Sequence, residues 1–236
     1  MKPNIEYQKV KRFYDDVYYQ NATAGRYLSQ HLVRLARRLQ ISPDQEVLDV
    51  ACGVGDWLAV CAERGAKVSG IDISARAIEI CRQRLTHGTF YVGPAEELPF
   101  ADHSFDLVSC LGSLEHFLDQ PRALREMVRV TKRDGQILLL VPNAGFLTYR
   151  LHLYRGTHQQ EVRETILSLE EWSCMFAECG IEVLERWKDL HVLDWRWIVR
   201  RPWYIIPLRL TQALALVAWP LKWQYQVYHL CVPRDK

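Results

Sequence analysis

The sequence lacks long apolar runs and a strong excess of charge of either sign. No stretch of its 236 residues reaches the roughly 18 uncharged apolar positions that a membrane-spanning helix needs, and the nearest candidate, 210–221, is too short. The net charge is +2, without a long run of Lys or Arg, which argues against an electrostatic nucleic-acid binder. With 49% hydrophobic and 25% charged residues, the composition is that of an ordinary globular protein.

Cysteine pairs with CxxC spacing are missing as well. The seven cysteines are odd in number, which favours free thiols in a reducing compartment over a disulfide framework. No spacing of candidate ligands indicates a metal site. The first residues lack the apolar core of a signal peptide, so we expect a cytoplasmic protein.

Short apolar runs alternate with amphipathic stretches, which is typical of βαβ units and a mostly parallel sheet. The predicted strands are 46–50, 67–72, 89–92, 105–110, 136–141, 181–187 and 225–232. The predicted helices are 5–40, 56–64, 74–85, 120–131 and 168–179. The Asp134-Gly135 pair predicts a turn before the fifth strand.

The most informative segment is a glycine-containing turn between the first strand and the helix after it. Gly53 and Gly55 would let the backbone approach a ligand closely. The next strand ends in Asp72, 17 residues beyond Gly55, where a ribose-binding carboxylate is expected. Dinucleotides and S-adenosylmethionine both fit this pattern.

The charges beside the turn separate these two cofactors. Asp49 precedes the turn and Asp56 closes it, and two carboxylates there would repel a diphosphate at the helix N-terminus. They suit a ligand that carries an ammonium and a sulfonium group. The third glycine of a GxGxxG motif is also missing, because Leu58 occupies its position.

Several motifs resemble those of the class I S-adenosylmethionine-dependent methyltransferases, which include the quinone-biosynthesis methyltransferases, and they occur in the same order as in that family. They are DVACGVGD at 49–56, GPAEELPF at 93–100 with SFD at 104–106, LEHF at 114–117, and Arg129-Val130 with Asp134-Gly135. The resemblance covers residues 45–143. It implies an α/β fold with a Rossmann-like, mostly parallel sheet, a late antiparallel strand and helices on both faces.

The resemblance also implies a division of the chain into functional parts. We expect a single methyltransferase domain over 1–236. Its parts would be an N-terminal helical lid at 1–40, a cofactor-binding half at 41–143 and an acceptor half at 144–236. The acceptor half would hold a Trp-rich helical insertion at about 190–222.

For the methionine and ribose parts of S-adenosylmethionine, the resemblance implies five binding residues. Asp49 and the backbone of Gly53 and Gly55 would hold the methionine moiety. Leu111 would offer its carbonyl near the methionine amino group. Asp72 would accept hydrogen bonds from both ribose hydroxyls.

For the adenine, the resemblance implies packing against Ile73 and contacts at the ring edge from Ala95 and Glu96. Tyr14 lies where such enzymes often close an N-terminal helix over the cofactor. One departure is Pro94, which stands where the family usually has an acid that contacts the adenine amino group. Either Glu96 substitutes for that acid or adenine recognition is weaker.

The implied reaction is methyl transfer from S-adenosylmethionine to a small-molecule or lipid-like acceptor, with O-methylation favoured. The donor is already activated by its positive charge, so the protein chiefly aligns the reactants and excludes water. His116 is the first candidate for a catalytic general base, and a purely structural His116 is an equal alternative. His152 and His158 are expected to be solvated loop residues.

Residues 190–222 form a long connection rich in Trp, Leu and Pro, and such connections are commonly functional. We favour a helical cap that buries its apolar face on the domain. The alternatives are a docking surface for a lipid-like acceptor or a membrane, and a dimer contact. Pro202 and Pro207 would interrupt a single long helix here.

Two other functions fit parts of the pattern. One is a non-catalytic methyltransferase-like binding module; the intact glycine turn with Asp72 speaks against it, and Pro94 speaks mildly for it. The other is an NAD-dependent oxidoreductase, which Asp49 and the missing third glycine disfavour. We expect no nucleic-acid partner. The sequence leaves peripheral membrane contact and the oligomeric state open.

Overall fold

Seven strands in the described part of the chain form one sheet. The computed structural model describes residues 5–23, 28–146, 164–194, 198–199 and 202–234. The strands are β1 (Glu46–Val50), β2 (Lys67–Asp72), β3 (Thr89–Val92), β4 (Phe105–Leu111), β5 (Thr131–Pro142), β6 (Ile181–Lys188) and β7 (Gln226–Pro233). Their order across the sheet is β3-β2-β1-β4-β5-β7-β6.

Helices cover both faces of this sheet. The α-helices of the described ranges are α1 (Ile5–Phe13), α2 (Gln30–Arg38), α3 (Asp56–Ala62), α4 (Ala75–Arg84), α5 (Gln120–Val130), α6 (Leu169–Glu178) and α7 (Ile206–Ala218). Apolar side chains of α2, α3 and α4 pack in one buried cluster, and those of α5 and α6 pack in another. The strands β1 to β5 pair in parallel, whereas β7 pairs antiparallel with β5 and β6. The predicted fold class is therefore confirmed.

The stretch 5–40, predicted to be helical, is divided into separate helical elements. α1 passes into a π-helical turn at Tyr14–Tyr18, and α2 begins only at Gln30. Where the π-helical turn ends, the Tyr19 carbonyl oxygen accepts hydrogen bonds from Arg76 Nε at 2.7 Å and from the Ala22 N–H at 3.1 Å. A tertiary contact and a short turn thus take the place of the next α-helical hydrogen bond.

The turn predicted at Asp134-Gly135 is instead an irregularity inside the long strand β5. Phe105 of β4 lies opposite Thr131, but Leu107, only two residues on, lies opposite Gln136. The extra β5 residues form a bulge, and a β-carbon on the glycine would lie 2.9 Å from the Phe105 carbonyl oxygen. The glycine is therefore needed for close backbone approach.

The carboxyl ends of β1, β2 and β4 meet at one edge of the sheet. The strand order reverses between β1 and β4, since β2 and β3 lie on one side of β1 and β5 lies beyond β4. Asp49 and Asp72 stand at the ends of β1 and β2, and Leu111 ends β4. Parallel sheets bind ligands at such a reversal point, so this edge is where a site is expected.

In the described part of the Trp-rich segment, α7 does not bury the apolar face that the favoured interpretation expects. Within α7 only Ala213 is buried, whereas several large apolar side chains of this helix are exposed. The helix begins at Ile206 with Pro207 in its first turn, where proline is compatible with helix formation. None of the helices in the described ranges combines the length and the apolar character that crossing a bilayer requires.

Candidate functional site

A cavity of about 380 Å³ opens at the carboxyl ends of β1, β2 and β4. Every predicted site residue except Gly55 lines it. These residues are Tyr14, Asp49, Gly53, Asp72, Ile73, Ala95, Glu96, Leu111 and His116. The structure thus brings together side chains from both ends of the predicted cofactor half and from the N-terminal helix.

The two glycines of the turn between β1 and α3 have different structural roles. Gly53 has a φ of +54°, and a β-carbon there would lie 2.9 Å from the Tyr19 hydroxyl oxygen. Its bare backbone faces the cavity. Gly55 has a φ of +78° and caps α3, and a β-carbon there would lie 2.9 Å from the sulfur of Cys81. Gly55 therefore allows the backbone conformation of the turn and its close packing on Cys81, and it does not line the cavity.

Asp72 is buried and ties the glycine turn to the start of α4. Its Oδ2 accepts a hydrogen bond from the Gly53 N–H at 2.9 Å, and its Oδ1 accepts one from the Ser74 N–H at 2.8 Å. Burial raises the pKa of this carboxyl to about 6, against the lowering effect of the two N–H donors. Each carboxylate oxygen keeps a further lone pair for a ligand hydroxyl.

Asp49 is buried in a second hydrogen-bonded group that sequence analysis missed. The Ser109 hydroxyl donates to Asp49 Oδ1 at 2.6 Å, and the Trp57 indole N–H donates to the Ser109 oxygen at 3.0 Å. Burial raises the pKa of the Asp49 carboxyl to about 7; the Ser109 hydrogen bond lowers it, and the nearby Asp72 carboxylate raises it. Ser109 of β4 pairs with Asp49 of β1. The one sign of this contact in the sequence was a single hydroxyl residue within an apolar strand.

Four tyrosines from the N-terminal segment line the cavity, although sequence analysis named only one of them. They are Tyr7, Tyr14, Tyr18 and Tyr19. Burial, with a contribution from the negative charge of Asp72, raises the pKa of the Tyr14 and Tyr19 hydroxyls, so both are neutral phenols at physiological pH. The cavity therefore has aromatic, uncharged phenol side chains in the neighbourhood of its buried Asp72.

The N-terminal segment is fastened to α4 by a group of polar contacts. Asp15 accepts hydrogen bonds from the Ser74 hydroxyl at 2.6 Å and from the Lys11 ammonium at 2.8 Å. Lys11 also donates to the Ile73 carbonyl oxygen at 3.1 Å. Burial alone would raise the pKa of Asp15, but these donors and the Arg76 N–H outweigh it and lower the pKa. We call Lys11, Asp15, Ser74 and Arg76 the lid clasp.

The adenine side of the predicted site is lined by Ile73, Pro94, Ala95 and Glu96. Glu96 Oε1 accepts hydrogen bonds from the backbone N–H groups of Leu118 and Asp119, each at 3.1 Å. One oxygen of Glu96 therefore holds the connection before α5. Since Pro94 has no N–H, its contribution toward a ligand is limited to its carbonyl.

His116 lies in a short 3₁₀ turn, Leu114–His116, that follows β4. Its side chain is mostly buried and lines the cavity. The preceding Glu115 is buried too; burial raises its pKa to about 8, and within the described ranges its Oε2 has no hydrogen-bond partner. His152 and His158 lie outside the described residues.

Comparisons with known proteins agree with this geometry. A family model described as "Methyltransferase domain" matches residues 48–139. A demethylmenaquinone methyltransferase of Thermotoga maritima is 36% identical over 121 residues, which cover 49% of this chain and 52% of the relative. The ubiquinone/menaquinone biosynthesis C-methyltransferase UbiE of Geotalea uraniireducens is 30% identical over 165 residues, which cover 64% of this chain and 68% of the relative.

The solved structures that resemble this fold include the YcgJ protein of Bacillus subtilis. It has a TM-score of 0.61 and 21% sequence identity, over 87% of this chain and 99% of that one. At this identity the likeness concerns the fold alone. The chain spans about half to two thirds of the length of the curated relatives that it matches.

Proposed function

The chain belongs to the class I S-adenosylmethionine-dependent methyltransferases, and from that premise we propose that it methylates a hydroxyl-bearing, amphipathic acceptor. The methyl donor is supported by two buried acids, Asp49 and Asp72, beside the bare backbone of Gly53 in one cavity, and the acceptor class by the tyrosines that line the same cavity. Such a site fits a cationic ligand with ribose hydroxyls. It opposes a diphosphate, because two buried carboxylates would repel it.

The residues of the cavity fit S-adenosylmethionine part by part. Asp72 would accept the ribose hydroxyls with its remaining lone pairs, and Ile73 would pack on the adenine. Asp49 would face the ammonium group of the methionine moiety, where a cation favours the ionised carboxylate. Gly53 leaves room for the ligand beside the Tyr19 hydroxyl.

S-adenosylmethionine supplies a methyl group on positively charged sulfur, so the protein's task at the acceptor is orientation and proton removal. We propose His116 as the group that takes the acceptor's hydroxyl proton, because it lines the same cavity as the two acids. In O-methylation a C–O bond forms while the S–CH₃ bond breaks. The hydroxyl proton passes to the imidazole.

C-methylation is the second candidate, favoured by the names of the relatives. The UbiE relative is named as a C-methyltransferase of ubiquinone and menaquinone biosynthesis. Removal of a phenolic proton also makes the ring carbon nucleophilic, so His116 would have the same role. In both cases a quinol-like, lipid-like acceptor agrees with the tyrosines that line the cavity.

Calorimetric titration with S-adenosylhomocysteine tests the donor site. We expect micromolar binding to the wild type and about 10- to 100-fold weaker binding to Asp72→Ala, which loses charge-assisted hydrogen bonds to the ribose. Glu182→Ala, an exposed acid on the edge strand β6, is the matched control and should bind like the wild type. Equal binding by Asp72→Ala would contradict the assigned role of Asp72.

Transfer of a labelled methyl group to hydroquinones and other phenols tests the reaction. We expect His116→Gln to retain S-adenosylhomocysteine affinity while its turnover falls by about 10²- to 10⁴-fold, the usual loss for a general base. Mass spectrometry of the product then assigns the methyl group to oxygen or carbon. Donor binding without product from any acceptor would indicate the non-catalytic module.

A further inference from the structure

Helix α7 turns an apolar stripe toward solvent. Leu210, Leu214 and Val217 are exposed and recur at i, i+4 and i+7, so they share one face of the helix. In a globular protein this spacing normally marks the face of a helix that packs on the core. Here the described residue that α7 buries is Ala213, which flanks the stripe, while the stripe itself stays exposed.

Aromatic side chains extend this stripe at the start of the helix. Trp203 and Tyr204, in the 3₁₀ turn before α7, are 77% and 67% exposed. Trp and Tyr are favoured at a bilayer interface, since they combine a large apolar ring with a polar N–H or O–H. We call Trp203, Tyr204, Leu210, Leu214 and Val217 the α7 surface.

Polar contacts at its C-terminal end hold α7 in place, so the helix position does not depend on burying the stripe. The Lys188 ammonium donates to the Val217 carbonyl oxygen at 2.7 Å. The Gln224 side-chain N–H donates to the Leu216 carbonyl oxygen at 2.6 Å. These donors satisfy carbonyls of the last helical turn that would otherwise lack partners.

The α7 surface belongs to the same edge of the sheet as the cavity. The chain after α7 is fixed to the end of β5, where the Asn143 side-chain N–H donates to the Gln224 carbonyl oxygen at 3.1 Å. It then enters β7 at Gln226. A β-carbon on Gly112, a residue of the cavity wall, would lie 3.3 Å from the Gln226 side-chain nitrogen.

The charged side chains in the chain segment that carries the α7 surface are of one sign. The described part of the chain from Pro202 to Tyr225 contains Arg209 and Lys222 and no acidic residue. The sequence has no Asp or Glu anywhere between Asp194 and Asp235. Basic residues beside an apolar, aromatic face complement anionic lipid headgroups. A second copy of the chain would instead bring like charges together.

We propose that the α7 surface inserts into the interfacial region of an anionic lipid bilayer and places the cavity mouth where a lipid-like acceptor is dissolved. The apolar stripe enters the level of the acyl boundary, the aromatic rings lie at the headgroup level, and Lys222 meets the phosphates. The statement about the acceptor rests on the proposed function; the docking itself does not.

Vesicle flotation of the full chain tests this proposal. The probe is phosphatidylcholine vesicles with and without about one third phosphatidylglycerol, and we expect flotation mainly with the anionic vesicles. Leu210→Gln combined with Leu214→Gln should lower the partition coefficient at least about tenfold, because both side chains enter the bilayer. Both positions are exposed, so the variant should fold. Leu184→Gln, which changes an exposed leucine on β6, should float like the wild type.

Two charge-reversal variants form the second part of the flotation experiment. Lys222→Glu should weaken flotation with anionic vesicles, whereas Arg133→Glu, at an exposed position in the first half of β5, should not. Failure of the wild type to float, with S-adenosylhomocysteine binding intact, would overturn the docking proposal and leave the proposed function standing. A monomer–dimer change in the double leucine variant, with unchanged flotation, would identify a second copy as the occupant and also overturn it.

Discussion

Asp49 and Asp72 are acids whose burial favours the protonated form, although a cationic ligand needs the ionised form. Their pKa values of about 7 and about 6 lie above the ordinary value for Asp. The folded chain therefore holds protons that the unfolded chain releases, so these groups lower stability as the pH rises from about 4 toward 7. Binding of a cation favours ionisation and opposes this cost.

This linkage predicts a pH-dependent donor affinity. We expect the Kd of S-adenosylhomocysteine to be constant from about pH 8 to about pH 7 and to rise by up to about tenfold per unit at lower pH, because protonation of Asp49 competes with binding. Calorimetry in buffers of different ionisation enthalpy should show proton release on binding near pH 6.5.

Asp49→Asn is the matched variant for this pH series. It should bind more weakly than the wild type at about pH 8 and lose the dependence that begins near pH 7. A wild-type Kd that stays flat down to about pH 5.5 would show that Asp49 does not sense the ligand's charge.

The helices and strands differ in how fully the sequence determines them. β1, β2 and β3 have the predicted bounds, because each is an apolar run that ends at a polar or glycine-containing turn. The capping box at Ser168 also begins α6 as predicted. Local signals suffice for these elements.

Elements shaped by distant contacts were not predictable in the same way. The helical periodicity of 5–40 continues past Tyr18, but Arg76 binds the Tyr19 carbonyl from a helix 57 residues away. Periodicity also shows which residues of α7 share a face, and it cannot show whether that face meets the core or the solvent. At the site, Ser109 reaches Asp49 only because β4 pairs with β1, and Trp57 of α3 in turn donates to Ser109.

The lid clasp predicts a kinetic role for the N-terminal segment. Asp15→Asn removes the charge that binds Lys11 and Ser74, so we expect S-adenosylhomocysteine to dissociate about 3- to 10-fold faster, with little change in the unfolding midpoint. Stopped-flow displacement and hydrogen exchange of the segment 14–19 measure the two effects.

Asp16→Asn is the control for the clasp, since Asp16 is the exposed neighbour of Asp15. It should dissociate like the wild type. If both variants accelerate dissociation equally, the effect would come from the overall negative charge of the segment. The contacts of the lid clasp would then have no specific role in dissociation.

At the scale of the whole molecule, the cofactor half and the Trp-rich segment differ in how they use apolar residues. The sheet and its helices bury theirs in two clusters, one on each face. The α7 surface leaves its apolar residues in solvent at the edge where the cavity opens. The fold was predictable because patterns of buried residues repeat among related proteins. The exposure of the apolar face of α7 was not predictable, because on our proposal its partner is a lipid bilayer and not another part of the chain.

The uneven distribution of acids has an electrical consequence. Residues 195–225 carry five basic and no acidic residues, so in a chain of net charge +2 the remaining residues sum to −3. The small total charge therefore conceals a basic segment within a chain that is otherwise acidic. A negatively charged surface attracts such a segment within about one Debye length, roughly 8 Å at physiological salt. Raising the ionic strength should therefore weaken this attraction.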